Sequence, residues 1–239
     1  MTSSQKSKLT ITWFGHSAIK LETSSGKTIL LDPWLDNPKA PREIKDTIGA
    51  DIILVSHGHS DHLGNTIEIA KRTNANVICI FEMYLFLQNK GVSTAIGMNK
   101  GGTLNVDGIT ITMTDAKHSS TIEDGANILC GGEAAGFVVE LENGFTIYYA
   151  GDTGVFSDMK IIGELYAPDV AFLPIGDLYT MGPKEAAYAC ALINPKYIIG
   201  MHYGTFPILS GTPEALKNLL APALRNKILE LEVGKSVEV

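Results

Sequence analysis

The stretch VSHGHSDHLGN, residues 55–65, places three histidines and an aspartate between positions 57 and 62 of a chain that has 6 histidines in all. It follows the apolar run DIILVS at 51–56, which reads as a buried strand, and precedes a predicted helix from about Leu63 to Arg72. His57 and His59, two apart in extended chain, can aim their rings at one point, while Asp61 and His62 at the helix entrance can aim at a neighbouring one. Imidazole and carboxylate are ordinary ligands for zinc and related ions, so one loop can seed two metal positions. The plainer alternative is a set of surface histidines. A structural loop, however, has no need of three imidazoles beside a carboxylate after a buried strand.

Outward from this loop, three more donors terminate predicted strands: His118 after ITITMTDAK, Asp152 after FTIYYAG and His202 after KYIIGM. A single histidine after a strand is more often a satisfied core or surface residue. Several strand ends offering His or Asp together favour one shared site.

The pattern around these donors sets the fold class. Residues 8–34 alternate with period two and carry a Gly-containing turn, which predicts antiparallel strands. From residue 51 strands and helices alternate, with NVICI as a strand and a helix from Glu82 to Asn89, favouring parallel pairing. The second half repeats this order, with the hairpin GFVVELENGFTIYYAG, a helix from Phe156 to Tyr166, DVAFLPIG, and helices opened by Pro183 and by TPEAL. Two packed sheets with helices outside are expected, as one domain over residues 1–239 built of two similar halves, roughly 1–118 and 119–239. Residues 119–135 are expected to be a long irregular loop with a functional role. The run MYLFL at 83–87 reads as helix core.

Composition narrows the function. Of the 239 residues 45% are hydrophobic, ample for a packed core, and the net charge of −7 with no long basic run argues against nucleic-acid binding. The 3 cysteines are scattered, no signal peptide is recognisable in the N-terminal stretch, and no apolar run spans a bilayer, so a soluble cytoplasmic protein with no membrane partner is expected.

The HxHxDH pattern of His57, His59, Asp61 and His62, followed in order by His118, Asp152 and His202, resembles the metallo-β-lactamase superfamily over nearly the whole chain. The resemblance implies a four-layer αββα sandwich of the α+β class. It also implies one metal held by His57, His59 and His118, a second by Asp61, His62 and His202, Asp152 bridging them, and Asp32 in LLDPW orienting a ligand. WFGHS at 13–17, LDPW at 31–34 and TMG at 180–182 are similar to the small metal-dependent hydrolases related to L-ascorbate 6-phosphate lactonase. The sixth histidine, His16, lies in the first of these motifs, and a pocket or ligand-supporting role stands beside a purely structural hydrogen bond.

The chemistry so implied is hydrolysis of a small ester, lactone or phosphoester by a hydroxide shared between two divalent metals. Zinc is the expected metal, with manganese, iron or nickel as alternatives. Asp61 would orient the hydroxide, and water or His16 would protonate the leaving group. The short spans from His118 to Asp152 and from Asp152 to His202 leave little room for an inserted RNA-holding domain, so a small-molecule substrate is expected, with a homo-oligomer as an option for completing the cleft. Asp177, Tyr179 and Thr180 are candidate polar contacts, weighed against an ordinary loop. Rival readings are a mononuclear iron or other redox enzyme of the same fold and a catalytically silent metal-binding module. His59 argues against the flavo-diiron branch, which places Glu at that position.

Overall fold

The computed structural model describes residues 9–239; the first eight residues of the N-terminal stretch read above for a signal peptide lie outside the described residues. The chain opens with β1 (Thr10–Trp13), β2 (Ile19–Glu22) and β3 (Thr28–Leu31), followed by the short helix α1 (Ile44–Thr47) and β4 (Ile52–Leu54). Helices α2 (Ser60–Leu63) and α3 (Thr66–Thr73) lead to β5 (Asn76–Ile80), then α4 (Phe81–Asn89) and β6 (Ala95–Met98). The next strands are β7 (Thr103–Val106), β8 (Ile109–Asp115), β9 (Thr121–Asp124), β10 (Asn127–Cys130), β11 (Ala135–Glu140) and β12 (Thr146–Tyr149). The remainder runs α5 (Met159–Tyr166), β13 (Val170–Pro174), α6 (Pro183–Ile193), β14 (Tyr197–Met201), α7 (Pro213–Leu219), α8 (Pro222–Arg225) and β15 (Ser236–Glu238).

Two sheets carry the fold. One has the order β15-β1-β2-β3-β4-β5-β6 and the other β14-β13-β12-β11-β8-β7. Each is antiparallel at one side and parallel at the other, where strand and helix alternate: β3, β4, β5 and β6 pair in parallel, as do β12, β13 and β14. The chain changes sheets between β6 and β7, ahead of the expected junction at 118, and β15 returns to the edge of the first sheet beside β1.

Period-two alternation distributes the side chains between layers. Phe137, Val139, Tyr149 and Phe172 face inward and join Ile11, Leu21, Ile29 and Ile53 in a core that also takes Ile69 of α3 and Met83 of α4. Their neighbours Val138, Tyr148, Ala171 and Leu173 face outward and pack against Met159 of α5, Ala186 and Cys190 of α6, and Leu216 of α7. The adjacent residues Tyr148 and Tyr149 are both fully buried, on opposite faces of one sheet. This is the α+β, αββα sandwich expected from the sequence.

Two local features depart from expectation. The helix predicted from Leu63 to Arg72 is divided into α2 and α3 by Gly64, whose φ is +43°. A Cβ there would stand 2.5 Å from Trp34 Cα, and the neighbouring Asn65 Oδ1 accepts from Leu35 N at 2.8 Å. Close docking of the LDPW segment therefore overrides the helical pattern. Residues 119–135 are also not an irregular loop, because β9 and β10 form a hairpin within them. Its turn contains Asp124-Gly125, with Gly125 at φ +62°, a hairpin signal that exposed strand residues had obscured.

Candidate metal centre

Six donor-bearing segments reach one end of the molecule because the strands that carry them point the same way. His16 follows β1, Asp32 follows β3, the 57–62 loop follows β4, His118 follows β8, Asp152 follows β12 and His202 follows β14. Antiparallel β2 and β11 lie between pairs of these strands and restore a common direction. The open end of the sandwich thus collects side chains that are far apart in sequence.

The donors fall into two groups. His57, His59 and His118 bring one ring nitrogen each within 4.8 Å of one another, and His57 Nε2 lies 2.9 Å from His59 Nδ1. Asp61, His62, His202 and His16 form the second group, with Asp61 Oδ2 at 3.9 Å from His62 Nε2 and 3.7 Å from His202 Nε2. Asp152 Oδ2 stands between the groups, 3.8 Å from His118 Nε2, 3.2 Å from His62 Nε2 and 3.0 Å from His202 Nε2. All seven expected ligands are brought together.

Asp32, fully buried, organises the loop beneath. Its Oδ1 accepts from Ser56 N at 2.7 Å. Its Oδ2 accepts from Ser56 Oγ at 2.5 Å, His62 Nδ1 at 2.7 Å and Tyr149 Oη at 2.7 Å. Since the Ser56 hydroxyl spends its proton on Asp32, His57 Nδ1, 3.0 Å away, must donate to Ser56 Oγ. Both His57 and, when neutral, His62 are thereby held with the Nε2 lone pair turned toward the donor groups, the arrangement a metal ligand needs.

Charge and burial divide the histidines. Burial lowers the pKa of His57, His59 and His118, keeping them neutral. Burial acts the same way on His202 and His62, but Asp152 and neighbouring carboxylates outweigh it, raising His202 to about 9 and His62 well above the usual imidazole value. Burial pushes Asp61 and Asp152 up, yet the surrounding histidines hold both carboxyls below their ordinary value. A field that retains protons on two buried imidazoles is one that favours a cation.

The donor set fits divalent metals on a further observation: the buried atoms His62 Nε2 and Asp152 Oδ1 find no hydrogen-bond partner among the described residues. Such orphaned atoms are costly unless another partner, such as an ion, satisfies them. Backbone strain gathers here too, because His16, Asp32 and His202 have φ values of +51°, +41° and +56°. Gly151, at φ +61°, sets the position of Asp152 in a space where a Cβ would meet Ala135 O at 2.6 Å and Ser56 Cβ at 2.8 Å. Gly151→Ala is expected to destabilise the fold by on the order of 2 kcal/mol, read as a lower urea midpoint; an unchanged midpoint would refute this packing account.

A cavity of about 290 Å³ opens onto the donors and is lined by His59, Asp61, His118, Ser119, Asp152, Tyr179 and His202. A larger one of about 660 Å³ adjoins it at His118 and is lined by Lys100, Asp115, Lys117 and Glu133, whose charges pair with each other. Of the candidate polar contacts, Tyr179 lines the smaller cavity. Asp177 instead accepts from Leu178 N at 2.7 Å and Thr180 donates to Met181 O at 3.3 Å, so both serve their own loop. Of the MYLFL run expected as helix core, Met83 and Leu87 are buried, Tyr84 and Phe86 are half-buried and Leu85 is exposed, because only one face of α4 meets the sheet. Ser56, Tyr149 and Ser119 were not singled out from sequence; Ser56, adjoining the histidine cluster at the end of a buried strand, was the most findable.

Comparison with known proteins places the chain in a family. A family model described as a beta-lactamase superfamily domain matches residues 10–202. A metal-dependent hydrolase of Koribacter versatilis is 50% identical over 213 residues, covering 89% of this chain and 91% of that protein. One from Methanosarcina barkeri is 49% identical over 230 residues, covering 96% and 98%. Among solved structures, a metallo hydrolase of Ignicoccus hospitalis superposes with a TM-score of 0.87 at 37% identity, covering 98% of this chain and 99% of that one.

Proposed function

Because this chain belongs to the beta-lactamase superfamily and is a metal-dependent hydrolase, we propose that it cleaves a small ester, lactone or phosphoester at a site for two divalent metals, zinc first among them. The observation that carries this reading is the convergence of seven donors, three on either side of Asp152. His57, His59 and His118 would hold one ion, Asp61, His62 and His202 the other, and Asp152 would serve both. When bound, such a pair lowers the pKa of water toward neutrality and polarises a carbonyl or phosphoryl oxygen.

The protein's own groups supply the rest. Asp61 is part-exposed at the cavity while its Oδ2 faces histidines, so it can accept a hydrogen bond from the attacking water and hold it in line with the substrate. Tyr179 and Ser119, at the mouth, are placed to contact the substrate and limit its size. The roughly 290 Å³ cavity favours a small molecule, and both halves of the chain supply donors, in keeping with one hydrolase domain over residues 1–239. The three free cysteines, Cys79, Cys130 and Cys190, favour a reducing cytoplasm. No helix among the described residues is long and apolar enough to cross a membrane.

The test is a substrate screen of the metal-loaded protein across esters, lactones and phosphoesters, with metal content quantified in parallel. Two metal equivalents and turnover in one class are expected; absence of metal-dependent turnover in every class would overturn the reading. Chelation is expected to abolish turnover and to lower Tm by on the order of 10 °C, because a metal present far above its Kd contributes several kcal/mol to the folded state. Readdition of zinc should restore both.

A further inference from the structure

We infer that Thr205 and His16 form a positioning pair for Asp61: the Thr205 hydroxyl donates to His16 Nδ1, and His16 Nε2–H donates to Asp61 Oδ2, fixing the carboxylate that orients the attacking water. The inference rests on the role proposed above for Asp61. It adds Thr205, a residue that no motif marks, and gives His16 a defined task.

The distances are 3.0 Å from Thr205 Oγ1 to His16 Nδ1 and 2.9 Å from His16 Nε2 to Asp61 Oδ2. A carboxylate can only accept, so a hydrogen bond at its oxygen requires the proton on Nε2. A neutral ring then has a bare Nδ1, which Thr205 must supply with a donor. Direction therefore propagates along the chain from Thr205 to Asp61, across 189 residues of sequence between Thr205 and His16.

The surroundings allow the ring one orientation. His16 is 1% exposed, and its carbonyl accepts from Trp13 Nε1 and from His202 N, both at 2.9 Å. Its ring lies 3.9 Å, centroid to centroid, from that of His202 and meets Trp34 edge-on at 5.1 Å. The ring does not line the cavity, whereas Asp61 does, so His16 acts on the substrate side of the site only through Asp61. Thr205 itself is buried, three residues beyond His202, in the loop that leaves β14.

Removing the Thr205 hydroxyl leaves Nδ1 without a donor. The ring can then take the other tautomer, which turns a lone pair toward the Asp61 oxygen and releases it. Thr205→Val is expected to lower kcat by about 10- to 100-fold, the usual range for residues that support a metal ligand, with KM, metal content and Tm close to wild type. Thr205→Ser keeps the donor and should recover most of the rate. Independently of any variant, long-range ¹H–¹⁵N NMR of the zinc-loaded, ¹⁵N-histidine-labelled protein should show His16 as the Nε2–H tautomer. A Thr205→Val enzyme with the wild-type kcat, or a His16 with bare Nε2 in that spectrum, overturns the inference. Asp61→Asn, assayed alongside, separates the cases: if it retains turnover, the proposed role of Asp61 fails, whereas its loss together with an unaffected Thr205→Val sinks the positioning pair alone.

Discussion

Asp61→Asn lowers kcat by about 10²- to 10⁴-fold, the contribution typical of a positioned base, and weakens binding of one metal equivalent while the other stays. The substitution preserves shape, so the loss is one of charge and of acceptor capacity. Asp61 Oδ2 faces His16 Nε2 at 2.9 Å, His202 Nε2 at 3.7 Å and His62 Nε2 at 3.9 Å, and an amide nitrogen at that position would present hydrogens to donors. If the amide flips to keep its oxygen there, the neutral group still attracts a cation less and orients a water less strongly. Lys71→Ala, at an exposed site on α3, is the control and should change neither turnover nor metal content. Steady-state kinetics with metal analysis checks the prediction, and an Asp61→Asn enzyme with wild-type turnover would sink the proposed mechanism.

Asp32→Asn is expected to act on both folding and the metal centre. The carboxylate takes four donors: Ser56 N on Oδ1, and Ser56 Oγ, His62 Nδ1 and Tyr149 Oη on Oδ2. An amide nitrogen in place of Oδ1 meets the Ser56 N–H. In place of Oδ2 it meets the protonated His62 Nδ1, and relief by the other tautomer would put a hydrogen on the nitrogen that faces the metal site. Either orientation leaves a buried donor unmatched, at a cost of about 3–5 kcal/mol when charge is involved, which corresponds to a fall in Tm on the order of 10 °C for a chain of this size. Metal affinity should drop about 10- to 100-fold, since His57 and His62 lose their fixed orientation. Thermal melts and competition with a chromophoric chelator read the two effects separately. Wild-type values in both would show that Asp32 does not organise the loop.

Much of the site was legible because each donor is announced locally. His57, His59, Asp61 and His62 follow a continuous apolar strand, and His118, Asp152 and His202 each end a run of strand-forming residues. Alternation with period two also separated inward from outward positions, as Tyr148 and Tyr149 illustrate. Local pattern failed where a distant segment intervened. Gly64 breaks a helix whose periodicity is sound, because the backbone at Pro33 and Trp34 passes too close for a Cβ. The β9–β10 hairpin was hidden by strand residues that lie largely exposed, so that burial gave no alternating signature.

The sequence by itself determined which residues offer donor atoms and on which strand ends they sit, since strand and turn formation depend on neighbours along the chain. Only the tertiary structure decided how those atoms are aimed. The hydrogen bond that selects the His16 ring nitrogen joins it to Thr205, 189 residues away, and the Asp32 carboxylate that engages His62 Nδ1 is itself held by Tyr149, 117 residues away; both cross-links exist only once the two sheets have packed. Asp152 likewise comes to stand between two groups of histidines because parallel and antiparallel pairing give six strands one common end. A hydrogen bond or a shared ligand requires placement to a fraction of an ångström, which no local preference along the chain can specify.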